Sequence, residues 1–406
     1  MIRHYLKLIW NRRRSNVLIA VEIFLSFLVT FAVVTLSVHG ADNYRRPLGF
    51  EWQDAWNVQV DAKIGNLGEH GEAMPPALIE TVRQVFAAVR EFPEVVAVGG
   101  TTCPPYGNSE WNSSADIGGW RLKYGVNLAT DGLAGALGLR LTRGRWFGGR
   151  DDGVAWVPVV VNERLANEIF KGGDPIGKGV PQEKNLDGTM PTELRVVGVV
   201  SDFRQNGEFA TPQNYLFQRH RLDDAERRPP QNLVVRLRPG TTAAFEEKLV
   251  KRLQAVAPDW SFEVTPMVQM RETRFGMVLG PLIGAGVIAG FLLLMVCMGL
   301  TGVLWQTVTQ RTREIGLRRA KGATAGDIRR QVVGELVVLT SVAVAAGTAI
   351  ALQFPLLELT GSISGRVYAA GLVVSAACIY VLTVACAWYP SRLATMVSPA
   401  EALHYE

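Results

Sequence analysis

The chain has 406 residues, of which 48% are hydrophobic and only 19% are charged, and its formal net charge is +5. This balance is too apolar for one soluble enzyme and too polar for a bundle that lies wholly in lipid, so we expect a membrane part and a water-exposed part. The basic residues cluster beside the apolar runs, where membrane topology accounts for them, so the charge does not indicate nucleic-acid binding.

The N-terminal segment, residues 1–16, combines apolar and basic residues at helical spacing, beginning with Ile2, Arg3, Tyr5 and Leu6. This spacing predicts an amphipathic helix that lies along the cytosolic membrane surface. Contact with a cytosolic partner protein is an alternative role for the same helix.

The first apolar run, residues 17–39, is long enough for a membrane-crossing helix, which needs about 20 residues. It could also be a signal peptide, because small residues surround Gly40, but it is longer than the roughly 7 to 15 residues of a signal core. An uncleaved anchor is therefore favoured. Glu22, Ser26 and Thr30 share one helical face, which either packs against another span or a second copy, or carries a Glu22 that reaches the lipid headgroups.

A hydrophilic segment, residues 40–275, separates the first two apolar runs and is large enough for one or two globular subdomains. The pattern strand, helix, strand occurs at both of its ends and again in its middle. We predict a basal α/β part, 40–103 with 201–275, and an inserted part, 104–200. The predicted elements are strands 56–60, 95–101, 157–161, 194–200, 233–237 and 262–265, and helices 77–92, 163–170 and 242–256.

The sequence GGDPIGK at 172–178 has the first part of a phosphate-binding loop pattern. That chemistry needs a Ser or Thr next and a strand before the glycines, whereas Gly179 follows and a predicted helix precedes. We interpret the segment as a glycine-rich turn. Because Cys103 is the one cysteine between the first two runs, we expect no disulfide there, and the scattered histidines indicate no metal site. No cofactor is expected on this chain.

The second apolar run, 276–305, carries Gly276, Gly280 and Gly284 at four-residue intervals. Small residues at this spacing allow helices to approach closely in lipid. Glycine is also frequent in membrane helices without such a role. Close helix packing on this face is the favoured interpretation.

The segment 306–331 contains the run RTREIGLRRAKGATAGDIRR at 311–330. Its seven Lys and Arg residues place it on the cytosolic side. A helix is predicted to end near Lys321 with Gly322 as a left-handed cap, and Thr324 with Asp327 forms a capping-box pattern. A rigid corner between two helices results. A solvated loop that only sets orientation is the alternative.

The remaining chain contains a third run at 332–353, an external loop at 354–366, a fourth run at 367–389 and a tail at 390–406. Several basic residues precede the first run, whereas Arg366 is the one basic residue in the external loop. Because basic residues mark the cytosolic side, both chain ends are expected in the cytosol. The fold class is membrane α-helical, with four transmembrane helices and a large extracytoplasmic α/β domain of two subdomains between helices 1 and 2.

The pattern R-T-R-E-I-G-L-R-R-A-K-G-A-T-x-x-D-I resembles the signature of permeases of the macrolide-exporter and cell-division permease superfamily of ABC transporters. The segments VPVVVNERLANEIFKGGDPIGKGV and LRVVGVVSDFR resemble the external domain of the exporter branch, and the tail from Trp388 resembles family C-termini. The resemblance implies that the corner docks onto an ATPase. The matching positions are Arg313, Glu314, Ile315, Gly316, Arg319, Ala320, Gly322, Ala323 and Asp327.

The resemblance implies a non-catalytic permease, without a fused ATPase, in the inner membrane, with its large domain in the periplasm or outside the cell. ATP and magnesium would belong to an ABC ATPase subunit, and a second permease copy or a related permease would complete a dimer. Mechanotransmission would drive export of a drug, peptide or lipid-linked substrate, with a possible periplasmic adaptor and outer-membrane channel. Lipoprotein extraction or control of an external enzyme are alternatives, and a membrane-anchored ligand sensor is an alternative of a different class.

Overall fold

A computed structural model describes residues 13–62, 73–117, 119–183, 191–225, 227–310, 317–318, 321–356 and 363–396. Most of the predicted N-terminal amphipathic helix and of the C-terminal tail lies outside these residues. The chain divides into two compact units. We call Asn43–Met277 the outer domain, and Met1–Asp42 with Val278–Glu406 the membrane unit.

The elements follow one another as long helices at the two ends of the chain and short strands and helices between them. The helices are α1 (Arg13–Tyr44), α2 (Pro76–Arg90), α3 (Leu133–Leu137), α4 (Glu163–Phe170), α5 (Ala244–Val256), α6 (Met267–Gln310), α7 (Ala325–Ala351), α8 (Gln353–Leu356) and α9 (Gly365–Met396). The strands are β1 (Ala55–Asp61), β2 (Val95–Thr101), β3 (Asn112–Ile117), β4 (Trp120–Ala129), β5 (Leu141–Gly144), β6 (Val157–Asn162), β7 (Gly179–Val180), β8 (Leu194–Val200), β9 (Tyr215–Arg219), β10 (Asn232–Leu237) and β11 (Ser261–Pro266).

Within the described residues, four helices are long and apolar enough to cross a membrane, as the sequence predicts: Val17–Tyr44, Met267–Gln306, Ala325–Pro355 and Gly365–Trp388. Helix α6 begins well before the apolar run, because its first turns contain good helix formers such as Met, Gln, Arg and Glu. The apolar run marks the part suited to lipid, whereas the helix itself continues into the polar sequence.

The outer domain contains an 11-stranded mixed sheet in the order β11-β1-β10-β2-β4-β9-β6-β8-β5, with β3 paired to β4 and β7 paired to β8. The pairs β4–β9 and β6–β8 are parallel, and the others are antiparallel. Strands β2 and β4 meet at a single residue pair, Thr101 with Ala129. The sheet therefore consists of two halves joined at a narrow point, which agrees with the predicted fold class of two subdomains.

Each half of the sheet has its own apolar core. Helix α2 places Val82, Val85, Phe86 and Val89 on one face, at the spacing of an amphipathic helix, and packs them with α5 against β1, β2 and β10. In the second half, α4 packs against β6 and β8. A third cluster around Phe203 contains aromatic rings that pack against one another in tilted and edge-to-face arrangements.

One boundary from the sequence differs from the structure. The basal part was predicted to include all of 201–275, but β9 lies between β4 and β6, in the second half of the sheet. Strands β3, β4, β5, β7 and β9 and helix α3 are not among the predicted elements. Strand β4 carries six buried residues in succession at its end, so it lacks the apolar alternation that identifies a strand.

Candidate functional site

The predicted coupling corner is described only in part. Six of its matching positions lie outside the described residues: Arg313, Glu314, Ile315, Gly316, Arg319 and Ala320. The described part of the run 311–330 consists of Leu317, Arg318 and residues 321–330, which include Gly322, Ala323 and Asp327.

The end of the first arm of the corner has the hydrogen bonds of a glycine-terminated helix. The N–H of Lys321 donates to the carbonyl of Leu317 at 3.1 Å, and the N–H of Ala323 donates to the carbonyl of Arg318 at 3.0 Å. Gly322 lies between them with a φ of +95°, a conformation that glycine adopts without steric cost. This pattern is the Schellman helix end. The predicted left-handed cap at Gly322 is confirmed.

The second arm begins at once with a capping box. The N–H of Asp327 donates to Oγ1 of Thr324 at 3.2 Å, and the N–H of Thr324 donates to Oδ2 of Asp327 at 3.0 Å. These two bonds satisfy N–H groups that the start of a helix otherwise leaves unpaired. The side chain of Arg318 also donates to Oε1 of Gln331, which joins the two arms. The predicted capping box of Thr324 and Asp327 is confirmed.

The polar stripe of α1 lies inside the membrane unit. Ser26 and Thr30 are 1% and 5% exposed. The Glu22 carboxylate lies against Gly299 of α6, so close that a Cβ added at Gly299 would be 2.8 Å from its Oε2. The stripe therefore faces a neighbouring helix of the same chain.

The glycines that lie close to another helix are not the ones that the sequence singled out. A Cβ at Gly276, Gly280 or Gly284 would meet no atom within 4 Å, so within this chain no described helix packs there. Added Cβ atoms would instead meet Phe27 at 2.4 Å from Gly347, and Thr35 at 2.1 Å from Gly371. The glycine spacing did not identify Gly347 and Gly371, because neither has another glycine four residues away in the sequence. Packing of the predicted glycines against a second copy stays a prediction.

A second candidate site, which the sequence did not reveal, lies in the outer domain, in the loop Asp202–Ala210 that follows β8. We call it the junction loop. Arg204 in this loop is only 1% exposed. It donates to the carbonyls of Asn43 at 2.8 Å, of Arg46 at 3.0 Å and of Ala210 at 2.5 Å, and also to the carbonyl of Glu208.

The position of Arg204 has a physical reason. Asn43 lies in the last turn of α1, where carbonyl groups have no partner within the helix, and a cation there interacts favourably with the helix dipole. Burial lowers the pKa of the Arg204 guanidinium, and the carbonyl acceptors compensate for the lost hydration. The junction loop therefore holds the C-terminal end of α1.

The same loop also holds the first turns of α6. Glu208 is buried and accepts from Nε of Arg271 at 2.5 Å. The Arg271 guanidinium lies over the rings of Trp52 at 4.5 Å and Phe275 at 4.4 Å. The ion pair with Glu208 compensates for the partial burial of the Arg271 guanidinium.

A further bond runs from Arg274, which donates to Oδ1 of Asn206 at 2.6 Å. Within the outer domain, one loop between β8 and β9 thus contacts the ends of both helices that continue into the membrane unit. The resemblance of LRVVGVVSDFR to a family signature was the only signal in the sequence, and it indicated no role for these residues.

Comparisons with known proteins agree with this architecture. The model of the MacB-like periplasmic core domain matches residues 23–252, and that of the FtsX-like permease C-terminal matches residues 286–399. The pyoverdine export ATP-binding/permease protein PvdT of Pseudomonas aeruginosa is 26% identical over 332 residues, which are 78% of this chain and 46% of that protein.

A second relative, the macrolide export ATP-binding/permease protein MacB 2 of Aeromonas hydrophila, is 27% identical over 66% of this chain and 41% of its own length. This chain spans about half the length of such relatives or less. Among solved structures, the periplasmic region of MacB from Actinobacillus actinomycetemcomitans is 15% identical and covers 55% of this chain and 94% of its own, with a TM-score of 0.37. Because the first family model covers more than half of it, the chain belongs to the family with a MacB-like periplasmic core domain, joined here to an FtsX-like permease C-terminal region.

Proposed function

We propose that this membrane protein is the non-catalytic permease of an ABC exporter, and that it converts ATP-driven movement at the cytosolic corner into movement of its outer domain. The helix corner that follows α6 carries the proposal, because a stiff, basic, doubly capped corner suits docking to a partner better than a solvated loop does. Membership of a family with ABC permease relatives supports an ABC ATPase partner. A second permease copy would complete the complex.

The transmembrane helices themselves favour mechanical transmission over a polar channel. The four apolar runs contain no Lys or Arg, and their acidic residues are Glu22 and Glu335. A polar substrate route through lipid requires more ionisable or hydrogen-bonding groups than these runs offer. Helix α6 is continuous from Met267 to Gln310, so a movement imposed at its cytosolic end can reach its first turns, where Arg271 is held by Glu208.

The experiment for the coupling corner is reconstitution of the chain with its ATPase. Glu314→Lys reverses a charge within the matched pattern and is expected to abolish stimulation of ATP hydrolysis while the permease stays at its normal level in the membrane. The matched control is Glu246→Lys, an exposed position on α5 of the outer domain, which should keep full stimulation. Full stimulation by Glu314→Lys would refute the assignment of the corner.

The proposed topology places both chain ends in the cytosol and the outer domain in the periplasm or outside the cell. Ser109 of the outer domain is exposed, whereas the native Cys103 is only 3% exposed. An impermeant thiol reagent should therefore label Ser109→Cys on intact cells well above the wild-type background. Labelling that requires permeabilised cells would overturn this orientation.

The cargo is proposed from the relatives, whose names refer to export of pyoverdine and of macrolides. We infer export of a drug, peptide or lipid-linked compound, with an adaptor and an outer-membrane channel where the cell has them. Lipoprotein extraction or control of an external enzyme would use the same mechanism. A ligand sensor is the candidate from a different class, and a kinase gene beside this one, in place of an ATPase gene, would favour it.

A further inference from the structure

A cleft of about 440 Å³ lies in the outer domain, on the face of strands β1, β10 and β11 opposite α2 and α5. Strands β1, β10 and β11 form its floor, the loop before β3 forms one wall and the first turns of α6 form another. This volume is within the range of small-ligand sites, about 300 to 1,000 Å³. We call it the amide cleft, because its floor and walls are rich in Asn and Gln side chains.

Strand alternation explains why the floor is polar. Val58 and Val60 of β1 face the apolar core, so Asn57 and Gln59 face the cleft. The register places Asn232 of β10 and Glu263 of β11 opposite Gln59. Three adjacent strands thus present polar side chains to the same cavity. A polar face alone is normal for an antiparallel sheet that meets water, so the cleft needs a second observation.

Asn57 supplies that observation. Its side chain lines the cleft, and the residue is only 4% exposed. Its Nδ2 donates to Oδ1 of Asn232 at 3.1 Å, whereas its Oδ1 is buried and has no hydrogen-bond partner within the described structure. Leaving a buried acceptor unpaired costs about 1 to 3 kcal/mol, so binding of a donor to this oxygen is favourable.

The other lining groups restrict the chemistry of that donor. Among the described lining residues, Glu263 and Arg274 carry opposite charges, and Arg274 already donates to Asn206 and Asn108. Tyr106 supplies the lining's only aromatic ring among the described residues, and it is buried to 4% exposure. The cleft therefore offers no net charge and no open ring face. Its amide side chains each combine donors and acceptors.

We propose that the amide cleft binds an uncharged ligand with alternating hydrogen-bond donors and acceptors, of the kind that a peptide backbone provides. The N–H groups of such a ligand suit Oδ1 of Asn57, and its carbonyls suit Gln59 and Gln269. Because Gln269 and Thr273 belong to α6, a bound ligand contacts the helix that we propose to transmit movement. The ligand's role as cargo or signal rests on the proposed export function, whereas its binding does not.

The test uses the full chain in lipid nanodiscs without any ATPase. A pool of acetylated and amidated tetrapeptides of serine, asparagine and glycine is the probe, with maltotriose and erythromycin in parallel, and bound compounds are measured by equilibrium dialysis and mass spectrometry. Saturable binding of the peptides is expected. Asn57→Leu should weaken it about tenfold or more, because it leaves the peptide donor unpaired.

Asn57→Leu could reduce binding by disturbing the fold, so exposed lining positions are tested as well. Gln59→Leu and Gln269→Leu alter side chains that are exposed, and each should weaken peptide binding several-fold. The control is Gln84→Leu, an exposed amide on α2 outside the cleft, which should bind as the wild type does.

Three results would overturn the proposal: no saturable peptide binding, peptide binding that Gln59→Leu and Gln269→Leu leave unchanged, or binding of maltotriose or erythromycin but not of peptides. ATPase stimulation is measured in a separate reconstitution. If peptides do not bind but ATPase stimulation is intact, the cleft proposal is wrong and the permease function stands. If stimulation fails but peptides bind, the permease function is wrong and the cleft proposal stands.

Discussion

The outer domain and the membrane unit bury polar groups in different ways. In the outer domain, charged side chains are buried with several partners: Arg219 is paired with both Asp131 and Asp152 at 2.8 Å, and Arg204 with backbone carbonyls. In the membrane unit, neutral hydroxyls bridge α7 and α9, as between Oγ1 of Thr340 and Oγ1 of Thr383 at 3.2 Å.

This difference follows from the two environments. The outer domain can bury a charge because its loops and the end of α1 supply fixed acceptors around it, and water hydrates the remainder. Helices in lipid have no hydrophobic drive to associate, so close approach at small residues and short neutral hydrogen bonds must hold them together. Mutations should therefore damage the outer domain through unpaired charge and the membrane unit through steric crowding.

The largest effect is expected for Arg204→Met in the junction loop. It removes the donor for the carbonyls of Asn43 and Arg46 without changing the side-chain length much, and leaves buried acceptors unpaired. We expect the free energy of unfolding of the outer domain to fall by about 3 kcal/mol or more. Urea unfolding of the full chain in detergent, followed by tryptophan fluorescence, measures it.

The control for that variant is Arg121→Met, which removes an exposed arginine that is ion-paired with Glu183 on the surface. Exposed pairs contribute little, so this change should leave the urea midpoint almost unmoved. Equal shifts for the two arginines would contradict the view that burial with fixed acceptors makes Arg204 important.

A smaller effect of pH is expected at His220. The residue is 2% exposed, and burial, with the nearby Arg227 adding to it, lowers the pKa of His220 to about 4. The unfolded chain binds this proton near pH 6.5 and the folded chain only near pH 4. The contribution of neutral His220 to the free energy of unfolding is therefore complete above about pH 6.5 and is lost as the pH falls towards 4. The loss is on the order of 3 kcal/mol.

The pH effect is measured as urea midpoints of the outer domain between pH 7.5 and about pH 4.5, for the wild type and for His220→Gln. The variant should show a flatter dependence over this window, since its side chain does not titrate. A wild-type curve and a variant curve of the same slope would show that other groups cause the acid sensitivity.

In the membrane unit, Gly347→Ala should act by crowding. The added Cβ would lie 2.4 Å from the ring of Phe27, which is fully buried. We expect a loss of about 1 to 3 kcal/mol, measured as reduced resistance to unfolding by SDS. Gly302→Ala on α6 is the control, because its Cβ would meet no atom within 4 Å and alanine favours the helix.

The smallest effect is expected at the corner. Thr324→Ala removes the hydroxyl that accepts from the N–H of Asp327, which should cost about 1 kcal/mol of local helix stability. Amide hydrogen exchange at Asp327 should become about fivefold faster. The control is Thr81→Ala in the interior of α2, where the hydroxyl donates to the carbonyl of Ala77 and caps no helix end. It should leave exchange at Asp327 unchanged. Unchanged exchange in Thr324→Ala would mean that the capping box does not stiffen the corner.

The sequence by itself determined the parts of this protein that depend on local composition. Continuous apolar runs specify membrane helices because lipid cannot hydrogen-bond a free backbone. The cap residues Gly322, Thr324 and Asp327 specify the corner because a helix end needs partners within a few residues. Strand β8 and helix α4 were predicted with their observed bounds for the same reason, since their patterns are local.

The tertiary structure alone decided which distant residues meet. Arg204 and Asn43 are 161 positions apart, and Gly347 and Phe27 are on helices separated by the whole outer domain in the chain. The amide cleft likewise combines three strands with α6. Such contacts depend on sheet order and helix packing, which the spacing of residues along the sequence does not predict. The partner of a side chain across the fold is fixed by the three-dimensional arrangement and not by its neighbours in the chain.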